Sequence, residues 1–153
     1  MLKRIVAIDP GANGAIVSQT GGDFVQSWKM PKTPDGLFDL LFDAVATLDV
    51  RFVHVYCENV GGYRPGNSGP SACKFSRHVG HIDMALVALA APRTYVVPSK
   101  WMKVFLDGKV PKDKKDRKNA IKARAQELYP HLKVTLANAD ALGLLTYALS
   151  VAS

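Results

Sequence analysis

Three carboxylates stand where this chain changes direction: Asp9 ends the run RIVAID, Glu58 ends FVHVYCE, and Asp140 lies near the start of ADALGLLTYAL. Taken singly, each has an ordinary role. Asp9 precedes Pro10-Gly11, a pair suited to a type II turn, where an Asp side chain accepts backbone hydrogen bonds. Glu58 reads as an acid entering a loop, and Asp140 as a first-turn acid that caps a helix and opposes its dipole. A carboxylate is nonetheless a poor packing choice for the end of a β-branched strand, and three acids converging on one sheet edge exceed what caps and turns require. If the strands ending in Asp9 and Glu58 are parallel neighbours, they run ~4.8 Å apart. Their carboxylates would then share one divalent cation or bridge two ions ~3.5 to 4 Å apart, the arrangement that activates water for in-line attack on a phosphodiester.

That convergence depends on the elements in between. Strands are predicted at Arg4–Asp9, Gly14–Gln19 and Phe24–Lys29, separated by the turn-rich PGAN and TGGD, which makes an antiparallel meander. Thr33-Pro34-Asp35-Gly36 breaks the chain before Leu37, Leu40, Leu41, Ala44, Val45 and Leu48, whose spacing of three and four marks one apolar helical face. After this crossover helix, Phe52–Glu58 is β-branched and aromatic enough for a buried strand that pairs parallel to the first. The Gly- and Pro-rich NVGGYRPGNSGP, Asn59 to Pro70, is a long irregular loop of the kind that often carries function. Beyond it the pattern predicts a helix over Ser71–Ala91, a strand over Thr94–Val97 and a short helix over Pro98–Leu106. Lys112–Tyr129 follows as a helix with Ile121, Ala125 and Leu128 on its apolar side. Ala139–Ala152 closes the chain as a helix whose Ala141, Leu145, Ala148 and Leu149 face the core. The fold class is therefore α/β, a mixed five-stranded sheet of order 3-2-1-4-5 with helices on its faces, formed by a single domain over residues 1–153.

Composition sets the surroundings. Apolar residues make up 48% and charged residues 22%, ordinary for a globular chain rather than a disordered one. The net charge is +7, and Lys109 to Arg124 alone carries eight Lys and Arg, an electrostatic footprint suited to phosphates as well as to a plain solvated helix face. The opening MLKRIVAID enters a β-like run directly, and the longest apolar stretch, Met84 to Pro92, is about half of the ~20 residues a membrane crossing needs. A cytoplasmic location is expected. Cys57 and Cys73 form no CxxC or zinc pattern and are expected as buried thiols. His78 and His81, three apart on a predicted helix, lack a third ligand within sequence reach, so a helix-face or core role is preferred to a metal site.

IDPGANGAI, YCENV and ADALGLLTYAL, in that order along the whole chain, resemble motifs of the RuvC-like Holliday junction resolvases, most closely their short phage and organelle-type members. VVPSKWMKVF and KNAIKARAQELYP are also similar to segments of that family. The resemblance implies a ribonuclease H-like fold in which Asp9, Glu58 and Asp140 bind Mg²⁺, with Mn²⁺ as a substitute. It further implies a homodimer that resolves four-way DNA junctions by symmetric nicking in recombination and repair, leaving 5′-phosphate and 3′-hydroxyl ends. Lys118, which opens KNAI, takes the place of a lysine near the scissile phosphate and would stabilise transition-state charge. Lys100, Lys103, Lys112, Lys114, Lys115, Arg117 and Lys122 would position the phosphate backbone. Tyr63 and Arg64, by their place in the long loop after Glu58, either pack within that loop or meet an opened junction, where the ring can stack on an unpaired base; Trp101 can instead bury its ring. The chain departs from the family at the fourth metal ligand, an acid or His a few residues before the last Asp. Thr135 to Ala139 holds neither, so the Asn138 carbonyl or a water would fill that place.

Three other readings remain. A nuclease of the same fold acting on RNA in hybrids or on other branched DNA would carry the same acids. A DNA-binding protein of weak catalysis fits the missing fourth ligand. A fragment of an actin-like sugar kinase would share the strand, DPG and strand, although the chain has no second nucleotide-binding half.

Overall fold

The first strand, β1 (Arg4–Asp9), is apolar on both sides: Ile5 and Ala7 enter one core, Val6 and Ile8 the other. A strand buried on both faces belongs at the centre of a sheet covered by two layers. The computed structural model, which describes residues 3–46, 49–61 and 66–152, places it there. The remaining strands are β2 (Ala15–Thr20), β3 (Val25–Lys29), β4 (Val53–Glu58) and β5 (Arg93–Val96), in the order β3-β2-β1-β4-β5. β1 to β3 form the antiparallel meander, and β4 and β5 add parallel to β1.

Helices α1 (Pro34–Ala46) and α2 (Gly69–Ala88) cover one face, closing Leu37, Leu41, Ile82 and Leu86 over Val6, Ile8, Val55 and Cys57. Helices α3 (Pro98–Phe105), α4 (Lys114–Leu128) and α5 (Leu136–Val151) cover the other. There α5 lies along β1 and β2 with α3 and α4 packed on it, so it is buried nearly all round, through Ala139, Ala141, Leu142, Leu144, Leu145, Tyr147 and Ala148. Its surroundings exceed the single face that Ala141, Leu145, Ala148 and Leu149 suggest, because a helix between a sheet and two helices has almost no outer side.

The sheet agrees with the sequence reading in type and order, and the helix ends differ for local reasons. α5 begins at Leu136 rather than Ala139, because Thr135 accepts from the Asn138 N–H while the Asn138 side chain accepts from the Thr135 N–H, a reciprocal cap. Asp140 therefore lies beyond the first turn and does not cap. α4 begins at Lys114 because Asp113 holds extended backbone and accepts from the Asp116 N–H at 2.9 Å. At the other end of α4, Leu128 is 40% exposed, and the burial expected of it falls to Tyr129, whose hydroxyl lies 2.9 Å from Thr146 Oγ1. Cys57 is buried as expected, whereas Cys73 is exposed: the apolar stripe of α2 runs through Ile82, Ala85 and Leu86, and Cys73 lies outside it. Burial, reinforced by the nearby Asp83, Glu58 and Asp9 carboxylates, pushes the Cys57 thiol up to about 12, which leaves it protonated and inert at neutral pH.

Candidate active site

Two carboxylates meet through strand register. β1 and β4 pair in parallel with Ile8 opposite Cys57, so one more step sets Asp9 beside Glu58 at the carboxyl edge of the sheet. Ile5, Ala7 and Tyr56 belong to the core beneath α5, and strand alternation turns Asp9 and Glu58 to that same side. The third acid comes from the helix on that side, Asp140 in the second turn of α5. All three line one cleft of about 980 Å³ at the sheet edge.

Each acid is held by its neighbourhood. The turn after Asp9 folds back on itself, with Gly11 at φ +122° and the Gly14 N–H donating to the Gly11 carbonyl at 3.0 Å. A Cβ at Gly14 would overlap the Asp9 carbonyl oxygen, so only glycine lets the second strand pass so close to the first acid. Glu58 is only 9% exposed, and the Trp101 indole N–H donates to its Oε2 at 2.6 Å. Asp140 is half-buried, and burial raises its carboxyl above the ordinary value of 3.8, with Lys118 and then Arg117 pulling it partly back.

The sign of that shift makes Asp140 a cost to the fold. A carboxyl whose folded value is raised binds its proton more readily in the folded chain, so its favourable contribution is complete below 3.8 and is lost as pH climbs through the folded value. Without divalent metal, Asp140→Asn is expected to melt above the parent at neutral pH, with the gap closing on acidification below that value. Thermal melts followed by circular dichroism across this range check it; a lower melting Asn variant at neutral pH would contradict it.

The donor set is of one chemical kind. Three carboxylates in a cleft that is also lined by cations suit a hard ion such as Mg²⁺ or Mn²⁺. As placed, no three Asp, Glu, His or Cys side chains among the described residues are grouped closely enough to hold a metal ion. Asn138 does not join them: its Oδ1 accepts from the Thr135 N–H at 2.8 Å, and its Nδ2 donates to Ser27 Oγ and the Lys133 carbonyl. The idea that its carbonyl oxygen replaces a fourth ligand is set aside, because the helix cap uses it.

Of the basic residues named from sequence, Lys114 and Lys118, one turn apart on α4, line the cleft. Arg117 is committed to structure, donating to the Pro111 and Lys112 carbonyls, although its charge reaches Asp140. Lys112, Lys115 and Lys122 are exposed away from the cleft lining, as are Lys100 and Lys103 on α3, where the Lys100 ammonium sits 6.0 Å from the Tyr147 ring centre. Tyr63 and Arg64 lie outside the described residues. The opposite wall of the cleft is basic too: Lys74, Arg77, His78 and His81 from α2, with Lys32 from the loop before α1. Sequence reasoning gives His78 and His81 only a helix-face or core role and misses Lys74 and Arg77, although positions 74, 77, 78 and 81 carry the i, i+3, i+4, i+7 signature of one helix face. Both histidines belong to this cleft-facing side, and burial, followed by the neighbouring His81, lowers His78 below its ordinary value.

Among the described residues no helix is long and apolar enough to cross a membrane. No protein-family model and no curated protein matches the sequence. Solved structures do match. The chain resembles Thermus thermophilus RuvC with a TM-score of 0.56 and 17% identity, covering 97% of this chain and 95% of the other. It also resembles T. thermophilus RuvC in complex with a Holliday junction substrate, with a TM-score of 0.62, 15% identity and the same coverage. At these identities the likeness is one of fold: the five-stranded order and its flanking helices are those of the RuvC and ribonuclease H-like architecture.

Proposed function

We propose that this chain is a divalent-metal-dependent DNA endonuclease that resolves four-way junctions by symmetric nicking. The observation that supports it most is the shared cleft of Asp9, Glu58 and Asp140, two strand ends and one helix, on a fold whose solved counterpart was captured with a Holliday junction. Asp9, Glu58 and Asp140 would hold Mg²⁺ or Mn²⁺. When bound, the metal supplies Lewis acidity toward water and toward the oxygens that gain charge in phosphodiester hydrolysis. The Lys118 ammonium stabilises the additional negative charge on the phosphoryl group, and Lys114 holds the adjoining backbone. Lys74 and Arg77 on α2, with Lys32, give the phosphates further cations besides Lys114 and Lys118, so that the acids lining the cleft do not repel the strand they cut.

Two cuts in a two-fold junction call for two active sites related by the same symmetry, and the active form is accordingly a homodimer. The products are 5′-phosphate and 3′-hydroxyl ends, and the location is the cytoplasm of a bacterium or a phage-infected host. One observation favours a second reading, that of a junction-binding protein without catalysis: the carboxylates do not stand close enough to enclose an ion.

Matched four-way junction, flap and RNA–DNA hybrid substrates, incubated with and without Mg²⁺, decide between these. The expected result is Mg²⁺-dependent nicks at symmetric positions in opposed strands of the junction, with ends that a ligase reseals. Tight junction binding with every strand intact would favour the second reading, and preferential cutting of the hybrid would reassign the substrate.

A further inference from the structure

We infer that Trp101 is a positioning residue that sets Glu58 for metal binding and ties it to the helix bearing Asp140. The inference rests on the nuclease reading above. A buried indole N–H needs an acceptor, and a backbone carbonyl would suffice for packing alone. Here the acceptor is the Oε2 of a buried carboxylate, at 2.6 Å. A carboxylate acceptor strengthens such a bond relative to a neutral oxygen.

The ring has little freedom to follow if Glu58 moves. Trp101 is 1% exposed and meets the edge of Phe105 at 6.3 Å between ring centres. On α5, a Cβ at Gly143 would lie 2.5 Å from Trp101 Cζ3, 3.0 Å from its Cε3 and 3.3 Å from Phe105 Cδ1. Gly143 is three residues after Asp140, hence on the same side of the helix. The indole is thus seated against α5 backbone one turn from Asp140 while its N–H holds the end of β4. It fixes the plane of one carboxylate relative to the element that carries another. Outer partners of metal-binding carboxylates typically change metal affinity by ~10- to 100-fold when lost.

The test measures Mn²⁺ uptake by calorimetry without DNA, alongside circular dichroism, for the parent, Trp101→Phe and Gly143→Ala. Trp101→Phe keeps a ring and removes the N–H; Gly143→Ala keeps the indole and pushes it off its seat. Both are expected to weaken Mn²⁺ about 10-fold or more, with nicking restored by added Mn²⁺ and the junction KM unchanged. The chain has two tryptophans, and Trp28 packs on the opposite core. In Trp28→Phe, emission from Trp101 is therefore expected to change with Mn²⁺ at the calorimetric midpoint. That response should vanish when Glu58→Gln is added, which keeps an oxygen acceptor but removes the charge. Parent-like or tighter Mn²⁺ affinity in the folded variants, or Mn²⁺ bound without any change in Trp101 emission, overturns the inference alone. A parent chain that takes up no Mn²⁺ overturns the nuclease reading with it.

Discussion

Asp9→Asn is expected to reduce nicking of a four-way junction by ~10³-fold or more, equivalent to ~4 kcal/mol of barrier, while leaving junction binding intact. The change is nearly isosteric, and the peptide that carries Asp9 is fixed by its pairing in β1 and by the close passage of Gly14. What is lost is one negative oxygen of the set proposed to hold the metal. Because removing an anion from the cleft also eases the approach of phosphates, affinity for the junction should hold or rise. Single-turnover nicking at saturating protein, paired with a mobility-shift titration, separates the two effects. A residual rate within tenfold of the parent would mean that Asp9 only serves the Pro10-Gly11 turn.

Lys118→Ala is expected to lower kcat by ~10²-fold with a much smaller change in KM, the pattern of a donor aimed at transition-state charge. The basis is position. Lys118 lines the cleft, and its charge is the largest influence drawing the Asp140 carboxyl back toward its ordinary value. In the metal-free chain that carboxyl should therefore rise further in Lys118→Ala. Lys115→Ala is the natural comparison, because Lys115 is exposed and outside the cleft lining. If it affects the junction at all, it should weaken binding and flatten the slope of log affinity against log salt by ~0.9 for each phosphate that Lys115 neutralises, leaving kcat unchanged. Equal losses of kcat in both variants would reduce Lys118 to one more member of a diffuse basic face.

How the sequence announced this arrangement varied with the range of the forces involved. β1 and β4 were legible because alternation and β-branching are local, and Asp9 and Glu58 followed because a strand end is where a run of apolar residues stops. Asp140 was legible as a candidate but not in its place. Thr135 with Asn138 three residues on closes the cap with an amide instead of the usual Glu or Gln, and that moves the helix start to Leu136. The basic run of α4 was conspicuous as a block of charge, yet only Lys114 and Lys118 of it reach the cleft lining, since helical phase rather than charge density decides which side faces in. The α2 wall shows the reverse, its cations being sparse but correctly phased. The Trp101 bond to Glu58 joins residues 43 positions apart and leaves no local trace.

Gly14 bears no functional group, and an inventory of reactive side chains would omit it. Yet a single methyl at that position must displace the peptide of Asp9, so the first hairpin ties backbone volume directly to chemistry. In a library randomised over this hairpin and selected for cleavage, position 14 should accordingly sort with the carboxylates, as intolerant of alanine as Asp9 is of asparagine.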